Sequence, residues 1–180
     1  AFVLTGRKKW ISFGDIADFF IVVAACGEEK SAFIVERDTP GLHTRPIQGM
    51  LARRASHIAE VVLSEVHVPK SNIIGRLGSG FSYVVGTALD HGRYSVAWAS
   101  VATAQEAIEA MVTYARNRRQ FKKRLCEFQL IQGMIGDAVT KVHAARALCM
   151  RAGESRLKKQ PEAVVETTMA KYYASKVAAE

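Results

Sequence analysis

The chain has 180 residues, 49% of them hydrophobic and 23% charged, and carries a net charge of +8. A chain of this length buries roughly two thirds of its unfolded surface, so a core needs no disulfide or metal, and the composition excludes disorder and collagen-like order. The longest apolar run is the eight residues from Phe19 to Cys26, far short of the roughly twenty that span a bilayer, and no charged segment leads an apolar one as in a secretory signal.

Up to about Gly80, short β-rich runs alternate with turn residues: Lys8 to Phe13, Phe19 to Cys26, Ala32 to Arg37 and Ile58 to Val68. The chain starts inside the apolar run Phe2-Val3-Leu4, which reads as an interior segment of a longer protein. Asp38-Thr39-Pro40-Gly41 is a turn, since Pro40 fixes φ and Gly41 accepts a positive one. Strands this short and close predict a small β-sandwich or barrel. Beyond Gly80 the apolar period becomes helical. Val84, Ala88, Ala97, Ala104, Ile108, Met111 and Ala115 predict one buried stripe. A second helix, from Phe128 to about Leu157, turns Met134, Ala138, Val142, Ala145 and Cys149 inward. A third, opened by Pro161, carries Val165, Met169 and Tyr172. Long helices on short connections pack as an antiparallel bundle.

Charge is uneven. Residues 1–86 hold ten Lys/Arg against eight Asp/Glu, and residues 87–180 fifteen against nine. Six basic residues fall between Arg116 and Arg124. Such a patch suits a phosphate-bearing partner or, equally, a solvated helix end favoured by the dipole. The three cysteines, Cys26, Cys126 and Cys149, are unpaired in spacing, and the five histidines form no ligand pair with them. Neither a disulfide framework nor a metal site is expected, and a reducing, cytoplasmic setting fits best.

Four segments could carry chemistry. Lys9-Trp10-Ile11-Ser12 ends a strand, and either buries a core tryptophan or sets a flat aromatic wall beside a hydroxyl, as a heteroaromatic ring requires. Gly75-x-x-Gly78-x-Gly80 follows a proline turn and lacks the Walker lysine, so it reads as a hinge and not as a phosphate loop. Asp90 and Arg93 are spaced for an ion pair on one helix face. Arg118-x-x-Phe121, followed by Phe128-Gln129, closes the basic patch and reads from spacing as a solvated turn.

Taken in order, KKWIS, SAFIVERDTPGL, a RAS-containing stretch running to VHVPKSNIIG, GSGF, LDHGR, YARNRRQF and EFQLIQ resemble the acyl-CoA dehydrogenase family from Gly6 to Glu180. The resemblance implies an α+β protein: a small β-barrel or sandwich followed by part of an antiparallel four-helix bundle. It implies a middle β-domain over 1–76, incomplete at its start, and a C-terminal helical domain over 77–180, incomplete at its end. Trp10, Ile11 and Ser12 match the segment that backs the flavin, with the Ser12 hydroxyl near the reactive N5. Arg118, Phe121, Phe128 and Gln129 match positions that reach the FAD of a neighbouring subunit. Asp90, His91, Gly92 and Arg93 match the stretch lining the acyl-thioester and pantetheine site. The implied reaction is FAD-dependent α,β-dehydrogenation, with a proton leaving Cα and a hydride passing from Cβ to flavin. The implied substrate is an acyl-CoA or acyl-carrier-protein thioester, the acceptor an electron-transfer flavoprotein, and the assembly a homotetramer built as a dimer of dimers. No metal, nucleic acid or membrane enters this reading, and the 180 residues alone are expected to be inactive.

In the family the catalytic carboxylate has two locations. One is the position of Gly92, which has no side chain to act; the other is expected beyond Glu180, in a Tyr-Glu-Gly-Thr segment. Asp90 is then the partner of Arg93 or a substrate contact. Three departures stand out: Phe121-Lys122-Lys123-Arg124-Leu125 replaces Phe-Gly-x-Pro-Leu, Phe13 replaces an Asn, and Gly80 to Asp90 holds one extra residue. LDHGRYSVAW most resembles the subgroup acting on carrier-protein substrates in polyketide extender-unit pathways, and Lys122, Lys123 and Arg124 would suit an acidic carrier. Two alternatives are a flavin-dependent oxidase or monooxygenase on the same fold, and a non-catalytic basic helical module for nucleic acid.

Overall fold

The computed structural model describes residues 1–180, which form two compact units, Ala1–Thr87 and Ala88–Glu180. In the first, β1 (Phe2–Ile11), β5 (Ala59–Val68) and β4 (Leu42–Pro46) make one antiparallel sheet in the order β1-β5-β4. A second sheet has the order β2-β3-β6, from β2 (Phe19–Cys26), β3 (Glu29–Glu36) and β6 (Ile73–Ile74). The period-two face of each strand supplies one shared core: Leu4, Leu42, Val61, Leu63, Val66 and Val68 meet Phe20, Val22, Phe33 and Val35. The two three-stranded sheets form a sandwich, and no barrel closes.

Several strands differ from the sequence expectation: β3 starts at Glu29, ahead of Ala32, and β4 and β6 are additional. β1 begins at Phe2, well before Lys8, because Leu4 belongs to the core. β4 shows no alternation in Leu-His-Thr-Arg-Pro; it is an edge strand, the place where a proline is tolerated, and Leu42 alone anchors it. In β5 the inward phase changes from Ala59, Val61 and Leu63 to Val66 and Val68. A bulge causes this, for Leu4 faces Val66 while Gly6 faces Leu63, and the additional residue Glu65 sits at φ 51°.

A π-helical turn, Gly80–Val85, leads into α1 (Gly86–Asn117). A π turn is a way for a helix to take up one additional residue. A Cβ on Gly80 would lie 2.5 Å from the Ser31 carbonyl carbon, so only glycine lets this turn approach β3.

In the second unit, α1, α2 (Gln129–Leu157) and α3 (Ala163–Val177) pack around small residues: Ala97, Val101 and Ala104; Val142, Ala145, Cys149 and Ala152; Ala170 and Ala174. The expected α1 stripe holds at Ala97, Ala104 and Ala115, with Val84, Ile108 and Met111 half-buried; Ala88 is exposed, and Val101 joins the core. On α2, Val142, Ala145 and Cys149 are buried and Ala138 half-buried, but Met134 is exposed. The α3 face is reversed. Val165, Met169 and Tyr172 are exposed, while Thr167, Ala170 and Ala174 are buried against Ala145, Cys149, Ala152 and Ser155. Bulk suggested the first set, but close packing of two helix axes selects the small residues. Pro161 precedes α3 by two residues and does not form its first turn. No helix is long and apolar enough to cross a membrane.

Candidate functional site

At the end of β1 the register skips: Lys8 faces Val61 and Ile11 faces Ala59, so Lys9 and Trp10 oppose Glu60 alone. Trp10 takes φ 64° at this bulge, and the residue is 59% exposed with Lys9 Nζ 5.4 Å from the ring centroid. The core-tryptophan reading is therefore wrong: the bulge turns the ring outward. Ile11 is half-buried and Ser12 exposed, so an apolar anchor separates a free ring from a free hydroxyl.

The next residues are pinned. Phe13 N–H donates to Ser56 O at 2.9 Å, and Ala17 N–H to Phe13 O at 2.8 Å. Arg37 secures the far side, its Nε 2.5 Å from Ala17 O and its Nη2 3.2 Å from Gly14 O. Phe13 itself sits at φ 56°, a conformation Asn tolerates far better than Phe. That explains in backbone terms why an Asn would be preferred there.

After α1, β7 (Arg119–Gln120) and β8 (Lys123–Arg124) form a minimal hairpin. Its turn residues, Phe121 and Lys122, have φ 49° and 64°, as a type I′ turn demands. Arg118 N–H bonds Tyr114 O at 2.8 Å, and its own carbonyl accepts from Leu125 N–H at 2.9 Å. The arginine is thus fixed at the joint between helix and hairpin. Arg118, Phe121 and Gln129 are exposed, and Phe128, immediately before α2, is half-buried. All six basic residues from Arg116 to Arg124 are exposed, and an arginine whose backbone is held at such a joint suits a phosphate group. The structure brings these four residues onto one hairpin and the helix start that follows it.

At the start of α1, Asp90 does not pair with Arg93. Its Oδ2 accepts from Arg156 Nη1 at 2.5 Å, leaving Arg93 half-buried without that partner. The reason is that Asp90 is held against α2, where a guanidinium already meets Thr167 and Tyr94. His91 Nδ1 lies 3.2 Å from Arg156 Nη2. Gly92 is exposed, with no atom within 4 Å of where a Cβ would stand. Asp90 and His91 are therefore brought together through Arg156, a residue sequence reasoning missed; it lies 66 positions from Asp90 in a charged helix end with no motif of its own. Arg37 likewise carries no signal of its role, although it stands within the SAFIVERDTPGL segment.

Residues 78–180 match the family profile described as acyl-CoA dehydrogenase, C-terminal domain, and residues 1–66 match the acyl-CoA dehydrogenase middle domain. The bovine (Bos taurus) mitochondrial short/branched chain specific acyl-CoA dehydrogenase is 35% identical over 98% of this chain and 42% of its own length. The Acetobacterium woodii CarC subunit of a caffeyl-CoA reductase-Etf complex is 34% identical over 98% of this chain and 47% of its own. The three-dimensional structure of butyryl-CoA dehydrogenase from Megasphaera elsdenii superposes with a TM-score of 0.89 at 33% identity, over 97% of this chain and 46% of that one. The chain thus spans about half the length of the relatives it matches. Two adjoining domain profiles in order, over a β-sandwich and a helical unit of the matching fold, place it: the chain belongs to the acyl-CoA dehydrogenase family.

Proposed function

We propose that the whole protein is an FAD-dependent dehydrogenase of acyl thioesters, with residues 1–76 as its middle β-domain and 77–180 as its C-terminal helical domain. The observation that carries this reading is Trp10, a tryptophan turned out of the β-core by a left-handed bulge beside an exposed Ser12 hydroxyl. An outward ring flanked by one polar group fits a flavin, and the exposed Arg118 on its fixed joint fits a pyrophosphate. Trp10, Ile11 and Ser12 would hold the ring of one cofactor. Arg118, Phe121, Phe128 and Gln129 would reach that of a neighbouring subunit in a dimer of dimers. When bound, FAD supplies the hydride acceptor. Asp90, His91, Gly92 and Arg93 would bind and orient the thioester, and the base would be a carboxylate outside residues 1–180, since Gly92 offers none.

The relative named as part of an Etf complex supports an electron-transfer flavoprotein as redox partner, and the names of the relatives support CoA esters. The exposed Lys122, Lys123 and Arg124 would serve equally an acidic carrier protein or the phosphates of CoA. The test is the absorbance spectrum of the purified full-length protein, followed by anaerobic titration with acyl-CoA and with acyl-carrier-protein thioesters. A yellow protein whose flavin band bleaches with one of them is the expected result. A colourless protein, or a flavoprotein that such thioesters leave oxidised, would overturn the reading. Rapid oxygen consumption during turnover would favour the oxidase alternative.

A further inference from the structure

Arg156 belongs to none of the family segments, yet it organises the start of α1. Its Nη1 lies 2.5 Å from Asp90 Oδ2 and 3.3 Å from Thr167 Oγ1, and its Nη2 lies 3.2 Å from His91 Nδ1. The Tyr94 ring centroid is 5.0 Å from the guanidinium carbon. The Arg156 and Asp90 side chains are only 18% and 23% exposed, so this pair is better shielded than a surface ion pair. Three helices meet at one guanidinium: Asp90 and His91 on α1, Arg156 on α2 and Thr167 on α3.

A guanidinium has N–H donors, no acceptor, and no accessible deprotonated form. The imidazole nitrogen facing it must therefore accept. Nδ1 of His91 keeps its lone pair, and the proton of the neutral ring resides on Nε2. In that state His91 donates from Nε2 and has no free lone pair with which to abstract a proton.

We infer that Arg156 is a positioning residue that holds His91 as an Nε2–H hydrogen-bond donor for an acceptor oxygen of the acyl thioester or its pantetheine arm. The substrate half of this inference rests on the assignment of residues 90–93 made above. The same lock excludes His91 as the base, although it is the only imidazole on that turn.

Long-range 1H–15N correlation spectra of the histidine-labelled full-length protein at alkaline pH read the ring directly; His91→Gln identifies the signal. The wild type should show a protonated Nε2 and an unprotonated Nδ1 displaced from the value of a free lone pair. Arg156→Met should move Nδ1 to the free value, and Arg156→Lys, which retains a donor, should restore part of the displacement. A protonated Nδ1 in the wild type overturns the inference without need of any variant, and so does an Nδ1 signal unmoved in folded Arg156→Met. Losing one hydrogen bond should raise KM for the bleaching thioester by roughly threefold to tenfold in His91→Leu and Arg156→Met, with kcat nearly kept. An unchanged KM overturns the substrate role while the tautomer result stands. A wild type that no thioester bleaches is the separate failure of the proposed function.

Discussion

Phe121 and Lys122 are consecutive left-handed residues, at φ 49° and 64°, and together they turn β7 into β8. Such a turn favours Asn-Gly or Asp-Gly, because an L side chain in this region costs roughly 1–2 kcal/mol. Lys122 stands where the family pattern has glycine. Lys122→Gly should therefore stabilise the protein by about 0.5–1 kcal/mol, once the greater unfolded-state freedom of glycine is counted. Thermal unfolding should show Tm raised by about 1–4 °C. Lys122→Ala removes the same charge but retains the strain, so it should gain nothing; an equal gain would assign the effect to charge repulsion in the basic patch.

The fold was largely legible because its strands and helices are written in period. Phe19 to Cys26 and Ala59 to Val68 alternate onto one core, and Ala97, Ala104, Val142, Ala145 and Cys149 fall on helical stripes as expected. What misled was size. Val165, Met169 and Tyr172 attract attention by bulk, whereas Ala170 and Ala174 are what two close helices can bury. The segments proposed as the site, Trp10–Ser12 and Arg118–Gln129, stand out as sequence motifs, but their structural supports do not. A bulge that turns Trp10 outward depends on the register against β5, and the choice of Arg156 over Arg93 by Asp90 depends on α2 packing against α1. Neither is a property of local sequence.

Acid should weaken the helical unit through Glu166. Its carboxylate accepts from the buried Ser155 hydroxyl and pairs with Arg151 Nε at 2.9 Å. The Ser155 hydrogen bond, then Arg151, lowers its pKa. A group whose pKa is depressed on folding contributes stability above its unfolded value, about 4.3 for Glu, and loses it as pH falls through the folded value. Glu166→Gln should reduce Tm near neutral pH and flatten its decline in acid. A wild type and variant whose Tm values keep a constant gap down through the carboxylate range would refute this.

Thiol reactivity should sort by burial. Cys149, on α2, is fully buried in the helical core, and desolvation raises its pKa; Cys26 and Cys126 are half-buried. Because the thiolate is the nucleophile, Cys149 should resist an aromatic disulfide reagent in the native protein while the other two react. Cys149 should then react at the rate of unfolding when denaturant is added. Uniform reaction of all three thiols without denaturant would contradict the packing of α2 against α3.

Gly92 separates structure from function in one substitution. It lies inside α1, where glycine costs about 0.5–1 kcal/mol relative to alanine, and a Cβ there meets no atom within 4 Å. Gly92→Ala should therefore raise Tm by a few degrees, about 1–4 °C, in the protein without substrate. If residues 90–93 line the thioester site, the same open space is where substrate lies, and the methyl group should weaken its binding. The expected outcome is a more stable enzyme with a higher KM for the thioester and unchanged flavin content. A variant that is stabilised but binds thioester as tightly as the wild type would move the substrate away from this turn. A variant that loses flavin would instead assign Gly92 to the cofactor.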